Sequence, residues 1–337
     1  MVHSVVFPQD DFEPSNRPYI LRRPSDLRQN DMIIGLIGPT CVGKTSVSIA
    51  LASVLSAEIV SVDSRQIYRE TSIGTAKPSD AELAAVPHHF ISERSIREPV
   101  TAAEFASDAR LRIAQIQSRG KHALLVGGST LYLHALLFGL NDMPPSDRQI
   151  RERLQARLKS VGLASLTADL AKKDPVSYQR IDRDNPRRVL RALEVFEITG
   201  RPLSAFHTGP TDDSLHAEII VLNRARTDLY SRINLRTSKM IDEGLVEEVQ
   251  VLLDAGISPD LQAMHTIGYR EAIQCLAGKV DKESMAELIR RNTRRYAKRQ
   301  LTWFRRYEGF KWIEIGQAES VESTTSRVLS LIAPRAF

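Results

Sequence analysis

Gly38, Gly43, Lys44 and Thr45 stand at the spacing Gly-x-x-x-x-Gly-Lys-Thr, in the run Gly38-Pro39-Thr40-Cys41-Val42-Gly43-Lys44-Thr45. An apolar stretch, Met32 to Ile37, precedes the run and a helical pattern, Ser46 to Leu55, follows it. In a strand–turn–helix of this kind the backbone N–H groups point inward at a polyphosphate, and the helix N-terminus adds partial positive charge. Lys44 reaches the outer phosphates and the Thr45 hydroxyl is placed to ligate Mg2+. A tight turn without a ligand is the bland alternative. With every position of the motif filled, the run reads as a site for a di- or triphosphate.

The second chemical group is Asp63, in Val62-Asp63-Ser64-Arg65-Gln66-Ile67-Tyr68, at the end of another apolar run. A carboxylate near a phosphate loop can act as general base on a nucleophile lined up with the phosphorylated group. It can equally cap the turn that follows, where Asp and Ser are favoured. The strand that would end in the acidic metal-holding residue of a nucleotide hydrolase ends instead in Gly127-Gly128-Ser129, which argues against an ATPase or motor. Lys77, in Gly74-Thr75-Ala76-Lys77-Pro78, could add charge near the phosphates, and the pair His88-His89 reads as structural.

Basic residues form two further groups. On the helix near 287–306, Arg290, Arg291, Arg294, Arg295, Lys298, Arg299, Arg305 and Arg306 face a single acid, Glu287. Ile289, Thr293, Tyr296, Gln300, Trp303 and Phe304 form the opposite stripe at 100° per residue. Solvated helix faces normally mix signs, so this one favours a polyanion such as nucleic acid. In Asn185-Pro186-Arg187-Arg188-Val189-Leu190-Arg191, three arginines share one turn. They could clamp successive phosphates or form salt bridges with Glu194 and Glu197, and both readings stay open.

The elements that must position these groups follow from the pattern. Strands are expected at Ile33–Ile37, Glu58–Val62, Ala123–Val126 and Glu218–Leu222, each a continuous apolar run of the kind buried on both faces of a parallel sheet. Helices near 46–55, 101–119 and 130–138 supply the crossovers. Between 141 and 211 strands disappear, and helices are expected at Ile150–Lys159, Leu163–Lys172 and Pro186–Thr199. After 222 the chain reads as mainly helical: Asp228–Glu243, Leu245–Ala255, Tyr269–Leu276 and Lys282–Tyr307. The fold class is α/β, a P-loop NTPase-like parallel sheet flanked by helices, with a mainly helical insertion and a helical C-terminal region. The expected domains are a flexible extension 1–30, a core from 31–140 and 212–337, and an insertion 141–211.

Of 337 residues, 42% are hydrophobic, enough for a core, and 26% are charged; the net charge is +5. No run of 18 apolar residues suggests a membrane span. The first thirty residues lack the apolar centre of a secretory signal. Two cysteines, Cys41 and Cys275, indicate neither a disulfide framework nor a zinc site, so a cytoplasmic monomer is expected. From the residues alone three classes survive: a small-metabolite P-loop kinase, a transferase acting on nucleic acid, and a nucleotide-switched RNA binder. The basic helix and insertion favour the transferase.

The chain resembles the tRNA dimethylallyltransferase (tRNA isopentenyltransferase) family. The resemblance rests on Gly38–Thr45, Asp63–Tyr68, Ile73–Pro78, Pro87-His88-His89, Val126-Gly127-Gly128 and Leu131-Tyr132. It continues through Asn185–Arg188 with Arg191–Glu194, Ile267–Arg270 and Ala297–Trp303, covering the chain from about Met32 to the end of the long helix. It implies transfer of a dimethylallyl group from dimethylallyl diphosphate to N6 of the adenosine 3′-adjacent to the anticodon, in tRNAs reading codons that begin with U. The loop would then grip the leaving diphosphate rather than ATP, with Mg2+ as cofactor on Thr45. Asp63 carries over as base, Thr40 as a hydroxyl near the leaving oxygen and Arg226 as a diphosphate contact. The tRNA contacts carry over to Asp63, Ser64, Arg65 and Gln66, to Ser129 and Arg151, to Arg187, Arg188, Val189, Leu190 and Arg191, and to His265, Thr266, Ile267, Gly268, Tyr269 and Arg270. The partners implied are tRNA and the diphosphate donor, with no membrane and no obligate protein partner. Ser129 stands where the family usually has Thr, Thr130 where Gly or Met is common, and Cys41-Val42 replaces the usual small pair. An adenylate isopentenyltransferase acting on free nucleotide shares the donor chemistry and is the alternative.

Overall fold

The computed structural model describes residues 19–20, 33–140, 144, 146–206 and 215–332. All but two residues of the expected N-terminal extension, and most of the break at 141–145, lie outside them. Two compact units emerge, Pro18–Leu137 with Leu215–Phe337, and Phe138–Ser214. In chain order the larger unit opens with β1 (Tyr19–Ile20), β2 (Ile33–Ile37), α1 (Lys44–Leu55), β3 (Ala57–Val62), α2 (Asp80–Ala85), β4 (His88–His89), α3 (Ala102–Ser118), β5 (His122–Gly127) and α4 (Thr130–Phe138). The smaller unit holds α5 (Arg148–Lys173), α6 (Pro175–Arg180) and α7 (Pro186–Thr199). The larger resumes with β6 (Ala217–Arg224), α8 (Arg226–Asp242), α9 (Leu245–Asp254), α10 (Tyr269–Leu276), α11 (Lys282–Phe304), β7 (Tyr307–Glu308), β8 (Lys311–Ile315) and α12 (Val321–Ile332). No helix of the described residues is long and apolar enough to cross a membrane.

Six strands form one parallel sheet in the order β4-β3-β5-β2-β6-β8. Ile34, Leu36, Ile59, Leu124, Ile220, Leu222 and Ile313 pack on one face with Val47 and Leu51 of α1 and Val328 and Ile332 of α12. On the other face Ile33, Ile37, Val60, Val62, Leu125, Ile219 and Val221 are equally buried. Burial on both faces is why the central strands read as unbroken apolar runs. Truncating Leu36 or Leu124 to Ala would destabilise the sheet by about 2–5 kcal/mol.

The sheet is larger than the four expected strands. β4 is two histidines with no apolar signature, and β8 is an edge strand. In β8, Ile313 and Ile315 are buried while Trp312 and Glu314 are exposed, so it alternates and escapes a search for continuous apolar runs. The region after 222 therefore carries two strands, β7 and β8, and α12 besides its expected helices.

Register sets up the site. Ile37 pairs with Gly127, and Gly127 pairs with Val62. The next residues of the three strands, Gly38, Gly128 and Asp63, therefore leave the sheet side by side at its carboxyl edge, where ligands of open α/β sheets bind. β5 stands between the phosphate loop and Asp63.

In the smaller unit, Leu154, Leu166, Leu170, Val189, Ala192, Leu193, Val195 and Leu203 form a separate core. α5 is interrupted at Gly162 (φ 77°, ψ 167°), matching the two helices expected there. Asp174 caps α6 through Ser177 N (2.9 Å) and binds Ser204 N (2.9 Å) and Oγ (2.7 Å). Burial would raise its carboxyl, but these hydrogen bonds hold it below the ordinary range.

Candidate active site at the carboxyl edge of the sheet

The loop after β2 is held by its carbonyls. Lys44 Nζ donates to Gly38 O and Pro39 O, both at 2.9 Å. Arg232 Nε donates to Cys41 O (2.8 Å) and Arg224 Nε to Val42 O (2.8 Å). Because each peptide is planar, fixing a carbonyl fixes the N–H of the following residue as well, so the cations determine which amides the loop offers a ligand. Gly43 ends the loop at φ +107°, a backbone region that only glycine enters readily, and starts α1. Arg224 is buried and has its charge met by Asp228 (2.9 Å), with a further bond to Gly316 O (3.1 Å). Arg236 Nη1 reaches the Thr40 hydroxyl at 3.4 Å.

Burial, reinforced by the neighbouring Arg236 and opposed by Asp63 and Cys41, lowers the Lys44 ammonium to about 8. Thr45, second residue of α1, is half-buried, and its hydroxyl has no hydrogen-bond partner among the described residues. Those residues contain no group of three or more His, Cys, Asp or Glu side chains able to hold a metal. A lone hydroxyl fits an ion that takes most of its oxygens from phosphates and water, as Mg2+ does.

Across β5, Asp63 does the work of a cap with one oxygen only. Oδ1 accepts from Arg65 N (2.8 Å) and Gln66 N (3.2 Å), and Oδ2 has no hydrogen-bond partner among the described residues. Buried Ser129 fastens this turn to β5, accepting from Ser64 N at 2.9 Å and donating to Ser64 Oγ at 3.1 Å. Gln66 Nε2 donates to Thr75 O (3.1 Å) and Ala76 O (3.0 Å). Lys77 donates to the carbonyls of Tyr68 and Arg69, and burial lowers its ammonium to about 8.

The stretch His265–Arg270 joins the same assembly through Glu248 of α9, which the sequence did not single out. Its carboxylate accepts from Ser72 N (3.0 Å), Ile73 N (2.9 Å), Gly74 N (3.3 Å) and the Tyr269 hydroxyl. Gly268 N donates to Glu271 Oε2 (2.7 Å), and Arg270 pairs with the same buried carboxylate. Thr266 Oγ1 closes onto Ala263 O (2.6 Å), with His265 and Ile267 half-buried on either side.

Arg226 stands apart from these contacts. It is exposed, with its guanidinium 5.1 Å from the Tyr230 ring centroid and Arg294 5.4 Å from the same ring. The arginines that do touch the loop, Arg224, Arg232 and Arg236, lie two residues before it and one or more turns after it. A helical count from Arg232 to Arg236 could have paired those two.

Glu58, buried at the start of β3, accounts for the histidines: it binds His89 Nε2 and Arg119, each at 2.7 Å. Burial would raise its carboxyl, but these partners hold it low. On α11, Arg290 and Arg294 turn onto Ser238 (3.3 Å) and Asn234 (2.8 Å) of α8. Arg291, Arg295, Lys298, Arg299, Arg305 and Arg306 remain exposed. The buried face is Met285, Ala286, Ile289, Ala297, Gln300 and Phe304, while Thr293, Tyr296 and Trp303 of the expected stripe are half-buried.

In the smaller unit the salt-bridge reading fits Arg151 and Arg191, which converge on buried Glu194 Oε2 at 3.1 and 3.0 Å. Arg191 also donates to Pro144 O (2.6 Å), and Arg153 pairs with Glu197. Asn185 caps α7 by accepting from Arg187 N (3.0 Å). Val189 lies in the core, and Arg187, Arg188 and Leu190 are half-buried.

A family model described as IPP transferase matches residues 66–307, a stretch that begins just after the phosphate loop and Asp63. The chain is 49% identical over 284 residues to the tRNA dimethylallyltransferase of Salinibacter ruber, covering 84% of this chain and 88% of that relative. Among solved structures it is similar to the full-length tRNA isopentenylpyrophosphate transferase of Bacillus halodurans (37% identity, 91% of this chain and 97% of that one, TM-score 0.67). It is also similar to a eukaryotic dimethylallyltransferase acting on tRNA (25% identity, 90% and 80%, TM-score 0.74). By sequence and by fold, this chain belongs to the IPP transferase family.

Proposed function

We propose that this chain is a tRNA dimethylallyltransferase. It moves the dimethylallyl group of dimethylallyl diphosphate to N6 of the adenosine 3′-adjacent to the anticodon, in tRNAs reading codons that begin with U, and releases diphosphate. The observation that carries the reading is a carboxylate with one uncommitted oxygen, Asp63 Oδ2, set across β5 from a loop braced by cations. A hydrolase would place its metal-holding carboxylate on that intervening strand, and this chain has Gly127-Gly128 there.

In this reading the bond between the allylic carbon and the diphosphate oxygen breaks, with its electron pair leaving on the diphosphate. The new bond forms from N6, and the N6 proton passes to Asp63 Oδ2. Lys44, the loop amides and Arg236 stabilise the developing anion, with the Thr40 hydroxyl beside Arg236 at the leaving oxygen. Mg2+, held by the Thr45 hydroxyl, would neutralise part of the diphosphate charge. Arg232 and Arg224 brace the loop, and we assign Arg226 a lesser part than the sequence suggested. The adenine leaves its stack to reach the donor. Asp63–Gln66, Ser129 and His265–Arg270 shape the acceptor side. Arg187 and Arg188 contact RNA phosphates, while Arg151 and Arg191 hold α7 through Glu194. In this reading the protein works in the cytoplasm as a monomer.

Exposed basic residues on α11 favour tRNA over a free nucleotide. Incubation with labelled dimethylallyl diphosphate and either unmodified tRNA or AMP tests this: label is expected in tRNA. Label in AMP alone would assign the chain to free-nucleotide prenylation, and phosphoryl transfer from ATP to a metabolite would assign it to the kinases.

A further inference from the structure

Gln300 lies in the last turns of α11, 2% exposed, on the face turned away from the exposed cations. A glutamine this deep needs partners at both ends of its amide, and it has them. Its Oε1 accepts from Thr40 N at 2.9 Å, and its Nε2 donates to Gly128 O at 2.8 Å. One amide thus ties the third residue of the phosphate loop to the end of β5. With Gln300 in this place a side chain at 128 is crowded: a Cβ would lie 2.5 Å from Gln300 Nε2 and 3.0 Å from Gly38 O, and the glutamine would have to give way.

The next residue along the chain is Ser129, just beyond β5, which holds Ser64 and through it the turn capped by Asp63 Oδ1. A hydrogen-bonded path therefore runs from the Thr40 peptide through Gln300, Gly128 and Ser129 to the Asp63 turn. Thr40 carries the hydroxyl that Arg236 contacts. The Thr40 N–H is also withdrawn from any ligand, so the loop presents fewer amides than its motif counts. Shape-filling alone would be met by an apolar residue of the same length; the two opposed hydrogen bonds need an amide.

We propose that Gln300 is a positioning residue: it sets the Thr40 peptide, and so the spacing between the diphosphate end of the donor and the carboxylate that takes the N6 proton. This rests on the prenyl-transfer reading above. Gln300 acts through Thr40 and Gly128 and does not touch either substrate. A misplacement of about 1 Å in such a constellation costs on the order of 100-fold in rate.

The test is a double-mutant cycle of Gln300→Met and Thr40→Ala, read as single-turnover prenyl transfer at saturating donor and tRNA, with melting curves and tRNA affinity measured alongside. Gln300→Met is expected to lower the rate roughly 10- to 100-fold with tRNA affinity within about twofold of wild type. In the double variant the two losses are expected to be markedly less than multiplicative, because Thr40→Ala already removes the hydroxyl that Gln300 positions. An unchanged rate in Gln300→Met, or fully multiplicative losses, overturns the proposal. Should Gln300→Met fail to fold, Gln300→Glu replaces it. That variant keeps the oxygen Thr40 needs but sets its second carboxylate oxygen against Gly128 O, so a loss at least as large is expected and a wild-type rate again overturns the proposal. Inorganic pyrophosphate separates the two readings. If the wild-type protein transfers no prenyl group, the functional reading fails by itself, and Gln300 is judged by whether its variants bind pyrophosphate more weakly; equal affinity overturns it.

Discussion

Arginines gather in two parts of this molecule, and they do opposite things. Around the phosphate loop, Arg232 and Arg224 donate to the carbonyls of Cys41 and Val42, and Arg236 to the Thr40 hydroxyl. In the smaller unit, Arg151 and Arg191 converge on the carboxylate of Glu194. A carbonyl or hydroxyl carries only partial charge, so Arg232 and Arg236 keep their field and leave a region fit for an anion, while Arg224, paired with Asp228, serves as a brace. Arg151 and Arg191 share one buried carboxylate, which offsets part of their charge and makes them a joint. The lesson is that the partner, rather than the number of arginines, decides whether a basic cluster binds phosphate.

Asp63→Asn retains an oxygen for Arg65 N and Gln66 N, so the turn should persist while the base is lost. Turnover is expected to fall by about 10²–10⁴ with tRNA affinity nearly intact. An unchanged single-turnover rate would remove Asp63 from the chemistry.

Lys44→Ala should cost about 10²–10³ in turnover, most of it through the donor site. The wild-type protein should also lose donor affinity as pH rises above about 8, roughly tenfold per unit, because Lys44 is charged below that value and neutral above it. Lys44→Arg should move this limb to higher pH. Lys77→Arg should leave it in place, since Lys77 sits on the Tyr68 and Arg69 carbonyls. A flat donor-affinity profile from pH 7 to 10 would contradict the assignment.

Glu194→Gln should sharpen the contrast. It strips the charge that Arg151 and Arg191 share and is expected to destabilise the smaller unit by about 3 kcal/mol in denaturant titration. Donor affinity should stay within about twofold. A donor-site defect as large as the stability loss would mean that the two arginine clusters are not separate in function. The smallest effect is expected from replacing Arg187 and Arg188 together. tRNA affinity should weaken, and the slope of its logarithm against log salt should become shallower by about 1–2. An unaltered slope would leave those arginines without a phosphate contact.

Much of this was readable from residue order. The phosphate loop, its flanking strand and helix, and the break at Gly162 are local, set by glycines and by apolar runs buried on both faces. Asp63 could be found but not resolved between base and cap, because the answer lies in two oxygens of one carboxylate. What stayed hidden depends on distant pairs. Arg232 meets Cys41 and Gln300 meets Thr40 across most of the chain, and no periodicity encodes such a meeting. Gln300 was legible only as one member of a largely apolar stripe, a polar residue where burial demands partners. β8 was missed because an edge strand alternates, and Glu248 because its role is to collect backbone N–H groups of a turn it never neighbours in sequence.

In the proposed reaction the loop of Gly38–Thr45 grips a leaving diphosphate while a carbon–oxygen bond breaks. Dimethylallyl diphosphate labelled with carbon in the prenyl group and with radioactive phosphorus at both positions, supplied with unmodified tRNA, tests it most directly. The prenyl label should enter tRNA, and both phosphorus atoms should leave together as inorganic diphosphate. Phosphorus label in the nucleic acid, or release of monophosphate with the prenyl group still on oxygen, would show phosphoryl transfer and contradict the account.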